Sequence, residues 1–439
     1  MKRKLTTWIL IGMVLGVGVG YACHASFPNP QDAKTVAGYF SLVTDLFLRL
    51  IKMIIAPLVF STLVVGVAKM GDVKAVGRIG AKTLGWFLCA SFISLLLGAL
   101  IANWLKPGVG LNLPLPDVGA SSGLKVGALS LKEFVTHLVP RSIVEAMAAN
   151  EILQIVIFAG FFSIGAALLG DKVKPVINLL DQIAHIMLKV TGFVMALAPF
   201  AVFAAMANVV TTQGLGVLVT YGTFMGQFFG SLFLLWAIIA FAGSLFLGRR
   251  VFSLIRSIRT PMLLAFSTAS SESAYPKLLD QLERFGVPNK IASFILPMGY
   301  SFNLDGSMMY CTFASLYIAQ AYGIHLSFVQ QASMLAILML TSKGMASVPR
   351  ASLVVIAATL GQFNIPEAGL LLIMGVDQFL DMGRTATNVL GNSVAAAVVT
   401  KWEGELGSEV SDEVPPDTLV GLAEEATILL SSEKATEEI

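Results

Sequence analysis

Asp377-Gln378-Phe379-Leu380-Asp381-Met382-Gly383-Arg384-Thr385-Ala386-Thr387-Asn388-Val389-Leu390-Gly391-Asn392 lies between two apolar runs, Leu370–Val376 and Ser393–Thr400. On an α-helix, positions 377, 381, 384, 385, 388 and 392 recur at helical spacings, so one face carries all six side chains. Two carboxylates and a guanidinium therefore share a stripe in a segment apolar enough to lie in a bilayer. A charge at the bilayer centre costs about 2.5–3.5 kcal/mol on insertion scales. A cost of that size points to a functional stripe. The bland alternative is a structural ion pair between Asp381 and Arg384, which their i,i+3 spacing permits.

Composition says the same of the whole chain. Its 439 residues are 56% hydrophobic and only 13% charged, with a mean hydropathy of +0.80, where soluble domains carry about 25% charge. The runs are apolar throughout and do not alternate, so the expected class is an all-α integral membrane protein, not a barrel. Cys23, Cys89 and Cys311 stand at unrelated spacings in or beside apolar segments and suggest neither disulfides nor a metal site. The four histidines are scattered. The basic start Met1-Lys2-Arg3-Lys4 ahead of Trp8–Tyr21 has the pattern of a secretory leader, with Ala25 as a poor cleavage site. A chain with many later spans needs no leader, and the segment is expected to be the first transmembrane helix. From Glu403 onward there are eleven acids and one base, Lys434. With Pro415-Pro416 and many small polar residues, 404–439 is expected to be a disordered acidic cytoplasmic tail.

Spanning runs need about 17–25 residues, and they fall near 7–23, 40–69, 83–105, 142–169, 175–208 and 215–247. Beyond 250 the pattern changes. The stretch 251–286 is broken by Ser267-Thr268-Ala269-Ser270-Ser271-Glu272-Ser273, 289–322 by Ser301-Phe302-Asn303-Leu304-Asp305-Gly306-Ser307, and 326–367 by the segment Thr341–Arg350; 369–402 carries the polar stripe. Small-polar break, broken helix, small-polar break and polar helix form an approximate repeat of the kind that marks a transporter's binding site. The first and third breaks read as tips of re-entrant hairpins, since irregular backbone at membrane depth survives only inside protein or beside a water-filled cavity. Lysine and arginine cluster at 2–4, 69–82, 172–174 and 249–259, while the loops at 209–214, 323–326 and 364–368 carry none. Both termini are therefore expected in the cytoplasm, with the first hairpin entering from that side and the second from outside.

The chain resembles the dicarboxylate/amino acid:cation symporter family, with its excitatory amino acid transporter fold, over roughly residues 5–403. The resemblance is carried by the serine-rich first tip, by Asn303-Leu304-Asp305-Gly306-Ser307 and by Asp381-Met382-Gly383-Arg384-Thr385 with Asn388 downstream. It implies eight transmembrane helices plus two re-entrant hairpins, a homotrimer, and an elevator in which a transport body moves against a scaffold. Most of 1–250 would be scaffold, with the third and sixth helices joining the transport core at 251–403. By the resemblance, Arg384 grips the substrate's distal carboxylate, a role that suits its planar fork, and Asp381 reads the ammonium. Thr385, Asn388, Ser270, Ser271, Ser307 and Val348 make further substrate contacts, with Asp377 in support. Substrate would be a small acidic molecule, and the other partner the lipid bilayer of the cell inner membrane. Neither cofactor nor nucleic acid is expected.

Departures from the family pattern concern the coupling ion. Sodium-coupled members resemble this chain less at Asn392, where they carry a carboxylate; an amide is a weaker ligand for a hard cation. Phe87 and Ala90 stand where they carry hydroxyls, and Lys343 lies near a second-tip cation site built from Ser301, Ser342 and Met345. Glu272 resembles proton-coupled bacterial relatives, and its alternative role is a fixed ion pair with Lys343. Proton coupling is the expectation, with Glu272, Asn303, Asp305 and Asn392 as the coupling-ion residues. Sodium is the alternative, on a residual site of Gly299, Asn303, Asp305, Asn388 and Asn392. Asp381 favours glutamate or aspartate, and Glu272, Leu304, Lys343 and Asn392 keep a C4-dicarboxylate carrier open. A channel would need a continuous pore lined by rings of like groups. An intramembrane hydrolase would need a base beside Ser270–Ser273, and no histidine is placed there.

Overall fold

The computed structural model describes residues 2–70, 73–109, 115–116, 136, 139–215, 221–342 and 351–409. Among these residues every regular element is helical. The helices are α1 (Lys2–Ser26), α2 (Pro30–Met70), α3 (Val73–Leu105), α4 (Ile143–Ala149), α5 (Ile152–Leu169), α6 (Lys174–Met195), α7 (Ala198–Gln213) and α8 (Gly222–Leu247). They continue with α9 (Arg250–Ser257), α10 (Arg259–Thr268), α11 (Ser271–Phe285), α12 (Asn289–Phe302), α13 (Asp305–Ala321), α14 (Phe328–Thr341), α15 (Ala351–Gln362), α16 (Leu371–Met374) and α17 (Asp377–Trp402). Five described stretches are long and apolar enough to cross a membrane: Thr7–Ser26, Pro30–Ala68, Lys74–Leu105, Ile152–Met195 and Gly222–Leu247.

The polar stripe does lie on one helix, α17, and that helix occupies the middle of the molecule. Every residue from 380 to 400 is buried, as expected of a helix with neighbours on all sides. It packs on α3, α8, α10, α11, α12 and α13. The first small-polar break is the two-residue tip Ala269-Ser270 between α10 and α11, which pack on each other as a hairpin. Ala269 holds φ +48°, a left-handed conformation costly for a side chain with Cβ. Thr268 and Ser273 close the turn: their hydroxyls meet at 2.8 Å, and Ser273 Oγ donates to Ser270 O at 2.8 Å. The second break, Asn303-Leu304, separates α12 from α13. The third joins α14 to α15 through 343–350, so Lys343, Met345 and Val348 lie outside the described residues, as does the tail from 410.

A second group of helices surrounds α2, which packs on α5, α6 and α7. Here α1 runs along α7 through Gly12, Gly16 and Gly20, spaced four apart. A Cβ on Gly16 would fall 2.4 Å from Phe203 O, and one on Gly20 2.8 Å from Ala207 O. Small residues at this spacing let two backbones meet directly. The apolar run read as continuous over 175–208 is two helices, ending at Met195 and resuming at Ala198. Pro199 in the first turn of α7 has no N–H for the preceding turn, which is where a proline is tolerated.

Candidate functional site

Arg384 is fully buried, and the face of α17 is organised around it. Its Nη2 lies 2.8 Å from Asp381 Oδ1 and 3.3 Å from Asp377 Oδ1. Asp377 is as deeply buried as the arginine, while Asp381 keeps 7% of its side chain exposed. Tyr310 of α13 lies beneath the guanidinium, 4.0 Å from ring centroid to Cζ, where a desolvated cation–π contact contributes about 2 kcal/mol. Arg384 Nε and Nη1 have no hydrogen-bond partner among the described residues. Orphaned buried donors cost about 1–3 kcal/mol each. The group therefore sets unmet N–H donors beside two carboxyl groups.

One turn along the same face, Asn388 serves the start of α13. Its Oδ1 accepts from Gly306 N at 2.9 Å and from Ser307 N at 3.4 Å, and its Nδ2 donates to Ser307 Oγ at 3.2 Å. These amides belong to the first turn of α13, whose N–H groups have no intrahelical partner. The contact needs glycine at 306, because a Cβ there would fall 2.6 Å from Arg384 O. Thr385 is buried beside Arg384.

A further turn on, Asn303 Nδ2 donates to Asp305 Oδ2 and to Asn392 Oδ1, each at 3.0 Å. Gly299 lies against the same amide, a Cβ on it falling 2.3 Å from Asn392 Oδ1. Asn303 Oδ1 and Asn392 Nδ2 are buried without a hydrogen-bond partner among the described residues. The structure thus gathers Gly299, Asn303, Asp305 and Asn392 into one cluster and directs Asn388 elsewhere, to Gly306 and Ser307. Gly391 makes room for it, since a Cβ there would fall 1.9 Å from Asp305 Oδ2.

The first tip reaches α17 through Ala269, which packs on Met382, the residue after Asp381. Ser270 and Ser271 are buried at this tip, at the N-terminus of α11. Glu272 is 8% exposed in the same first turn. Phe87 is fully buried, and Ser91 Oγ donates to Phe302 O at 3.3 Å, just ahead of the second break. Four described residues at the site escaped the sequence reading. Ser94 Oγ lies 3.4 Å from Asp305 Oδ1; it stands one turn after Ala90, so the α3 periodicity was its signal. Tyr310 stands on α13, five residues past Asp305. Trp236 Nε1 donates to Thr387 Oγ1 at 2.8 Å, a pairing between positions 151 apart that no local pattern announces.

The sequence profile of the sodium:dicarboxylate symporter family matches residues 5–402. A "Proton/sodium-glutamate symport protein" of Bacillus caldotenax is 42% identical over 416 residues, covering 93% of this chain and 97% of that protein. A "C4-dicarboxylate transport protein" of Laribacter hongkongensis (strain HLHK9) is 38% identical over 414 residues, 93% of this chain and 92% of that one. A "Proton/glutamate-aspartate symporter" of Bacillus subtilis (strain 168) is 38% identical over 406 residues, covering 92% and 96%.

Proposed function

The chain belongs to the sodium:dicarboxylate symporter family, and from that premise we propose that it imports glutamate or aspartate together with protons. It is a transporter, not an enzyme. The observation that carries the substrate reading is the Asp377–Arg384–Asp381 constellation. Unmet guanidinium donors suit a carboxylate guest in the bidentate mode. Asp381, the more accessible of the two acids, suits a substrate ammonium. A C4-dicarboxylate would bring two more negative charges and no cation into the same pocket. It is the second reading, because relatives of nearly equal similarity bear that name.

Proton coupling is supported by the cluster around Asn303. The oxygens that a cation would use, on Asp305 and Asn392, already accept from the Asn303 amide. Asn392 adds no charge, and a hard cation favours charged oxygen ligands. Glu272 is an acid in the first turn after the α10–α11 tip, next to the substrate-contact serines. In this reading it carries the proton.

The mechanism we infer is an elevator. A body of α3 and α8–α17 carries substrate past a scaffold of α1, α2 and α4–α7, with a trimer formed through the scaffold. The chain would span the inner membrane with both termini in the cytoplasm, where its basic loops cluster. The experiment is uptake of labelled aspartate, glutamate and succinate into proteoliposomes, with proton and sodium gradients imposed separately. Concentration of the amino acids under the proton gradient alone is expected. Concentration of succinate but neither amino acid would replace this substrate assignment with the second reading.

A further inference from the structure

Glu403, the first residue after α17, has a side chain only 2% exposed although it stands at a helix end. Arg78 holds it with both ends of its fork: Nη2 donates to Oε2 at 2.6 Å and Nε to the same oxygen at 2.9 Å. Lys82 Nζ donates to Oε1 at 2.7 Å and to Trp402 O at 3.2 Å. Arg78 and Lys82 stand i,i+4 on α3, so one face of its opening turns grips the end of α17. One turn on from Lys82, Trp86 of α3 meets Phe246 of α8 and Trp402 of α17, the three edge to face with centroids 5.1–6.1 Å apart. The chain then continues as a strap. Glu405 pairs with Lys290 at 2.5 Å, and Gly407 N donates to Gly286 O at 2.9 Å. Arg250 Nη2 donates to Gly407 O at 2.8 Å and Phe285 O at 3.0 Å, and Ser253 donates to Glu409 at 2.7 Å.

Exposed single ion pairs contribute about 0–1 kcal/mol. Here two cations, Arg78 still half exposed, converge on one carboxylate whose own side chain is covered, and the forked geometry sets the contact apart from a single exposed pair. Its position gives it a task. In sequence, α3 follows α2 after only residues 71 and 72. If α2 is fixed and the substrate-holding body moves, that short link pulls on the opening turns of α3, whose ties to the body are all non-covalent. Arg78 and Lys82 lie where that pull arrives.

We infer that Glu403 is a positioning residue for transport: with Arg78 and Lys82 it clamps α3 to α17, so that α3 travels with the substrate site. This role rests on the moving-body reading above. The test uses the full chain with its three cysteines replaced and spin labels at Gly77 and Lys401, which report on the clamp, or at Lys172 and Lys401, which report on the body against α6. In E403Q, aspartate affinity of the purified protein is expected to stay within about twofold of wild type. Turnover in proteoliposomes is expected to fall about tenfold, as for a variant of a conformational step, and the Gly77–Lys401 distance distribution to broaden. The mirror-charge variant R78E/K82E/E403R is expected to restore turnover and the narrow distance. Wild-type turnover in E403Q with an unchanged distance overturns the clamp. So does parallel loss of affinity and turnover with no recovery in the mirror-charge variant. An unmoving Lys172–Lys401 distance with and without substrate overturns the moving-body reading itself, and the clamp's task with it.

Discussion

Asp381 and Arg384 stand 2.8 Å apart, so the structural ion pair that their spacing permits is formed. That does not make the pair merely structural, because one nitrogen of the guanidinium serves both acids and two others have no hydrogen-bond partner among the described residues. Asp381→Asn is expected to abolish aspartate and glutamate uptake while the protein still purifies and melts near the wild-type temperature. Losing one partner of a desolvated charge pair costs about 2–5 kcal/mol. Near-normal aspartate uptake by this variant would remove the ammonium from the account. Arg384→Lys is expected to fail as well, because a point charge replaces a fork. Serine uptake, with no second carboxylate to hold, should suffer less than aspartate uptake; equal losses would make Arg384 structural. The stripe on α17 was legible because α-helical spacing alone puts its members on one face. Ser94 had only the α3 periodicity to signal it, while Tyr310 and the Trp236–Thr387 bond meet the site across helices whose packing no local period encodes. Asn388 was legible as a member of the α17 stripe but not as the group that satisfies the opening amides of α13.

At the scale of elements, the breaks were readable and the joints between helices less so. Clusters of small polar residues marked Ala269-Ser270 and Asn303-Leu304 because buried backbone without helical bonds needs hydroxyls and amides nearby. The join between α6 and α7 left no such mark: Ala196 and Leu197 are as apolar as their neighbours, and Pro199 alone punctuates it. The glycines at 12, 16 and 20 were visible in sequence, but their meaning depends on α7 lying against them. Gly16→Leu is expected to lower the melting temperature by several degrees, because its side chain would run into the Phe203 carbonyl and Met206 Cβ on α7 and overpacking costs about 1–3 kcal/mol. An unchanged melting temperature would mean that α1 and α7 can separate freely. Gly391→Ala acts at the site instead, with its Cβ on Asp305. It is expected to abolish concentrative uptake at modest cost in stability, and wild-type uptake would show that the cluster around Asn303 tolerates displacement.

Across the whole molecule, two groups of charge stand out among the described residues: the buried set around Arg384 and the end set just past α17. The end set is anchored by Glu403, whose carboxyl is held below the ordinary value of 4.5 by its hydrogen bonds to Arg78 and Lys82. A depressed carboxyl stabilises the fold above its unfolded value, and that contribution is lost as pH falls through the folded one. The stability difference between wild type and Glu403→Gln is therefore expected to be flat across neutral pH and to shrink only in strong acid. A difference that changes near neutral pH would show another group titrating in the clamp. On the proposed proton coupling, transport between mildly acidic and neutral pH is expected to respond to Glu272, the proposed proton carrier, and not to Glu403. Glu272→Gln is expected to exchange aspartate across the membrane yet fail to concentrate it. The direct measurement is internal pH, read from a trapped dye, as aspartate enters sodium-free proteoliposomes. Aspartate-dependent acidification of the lumen, abolished by Glu272→Gln, is the predicted result; an unchanged lumen, with aspartate entering only when sodium is supplied, would contradict it.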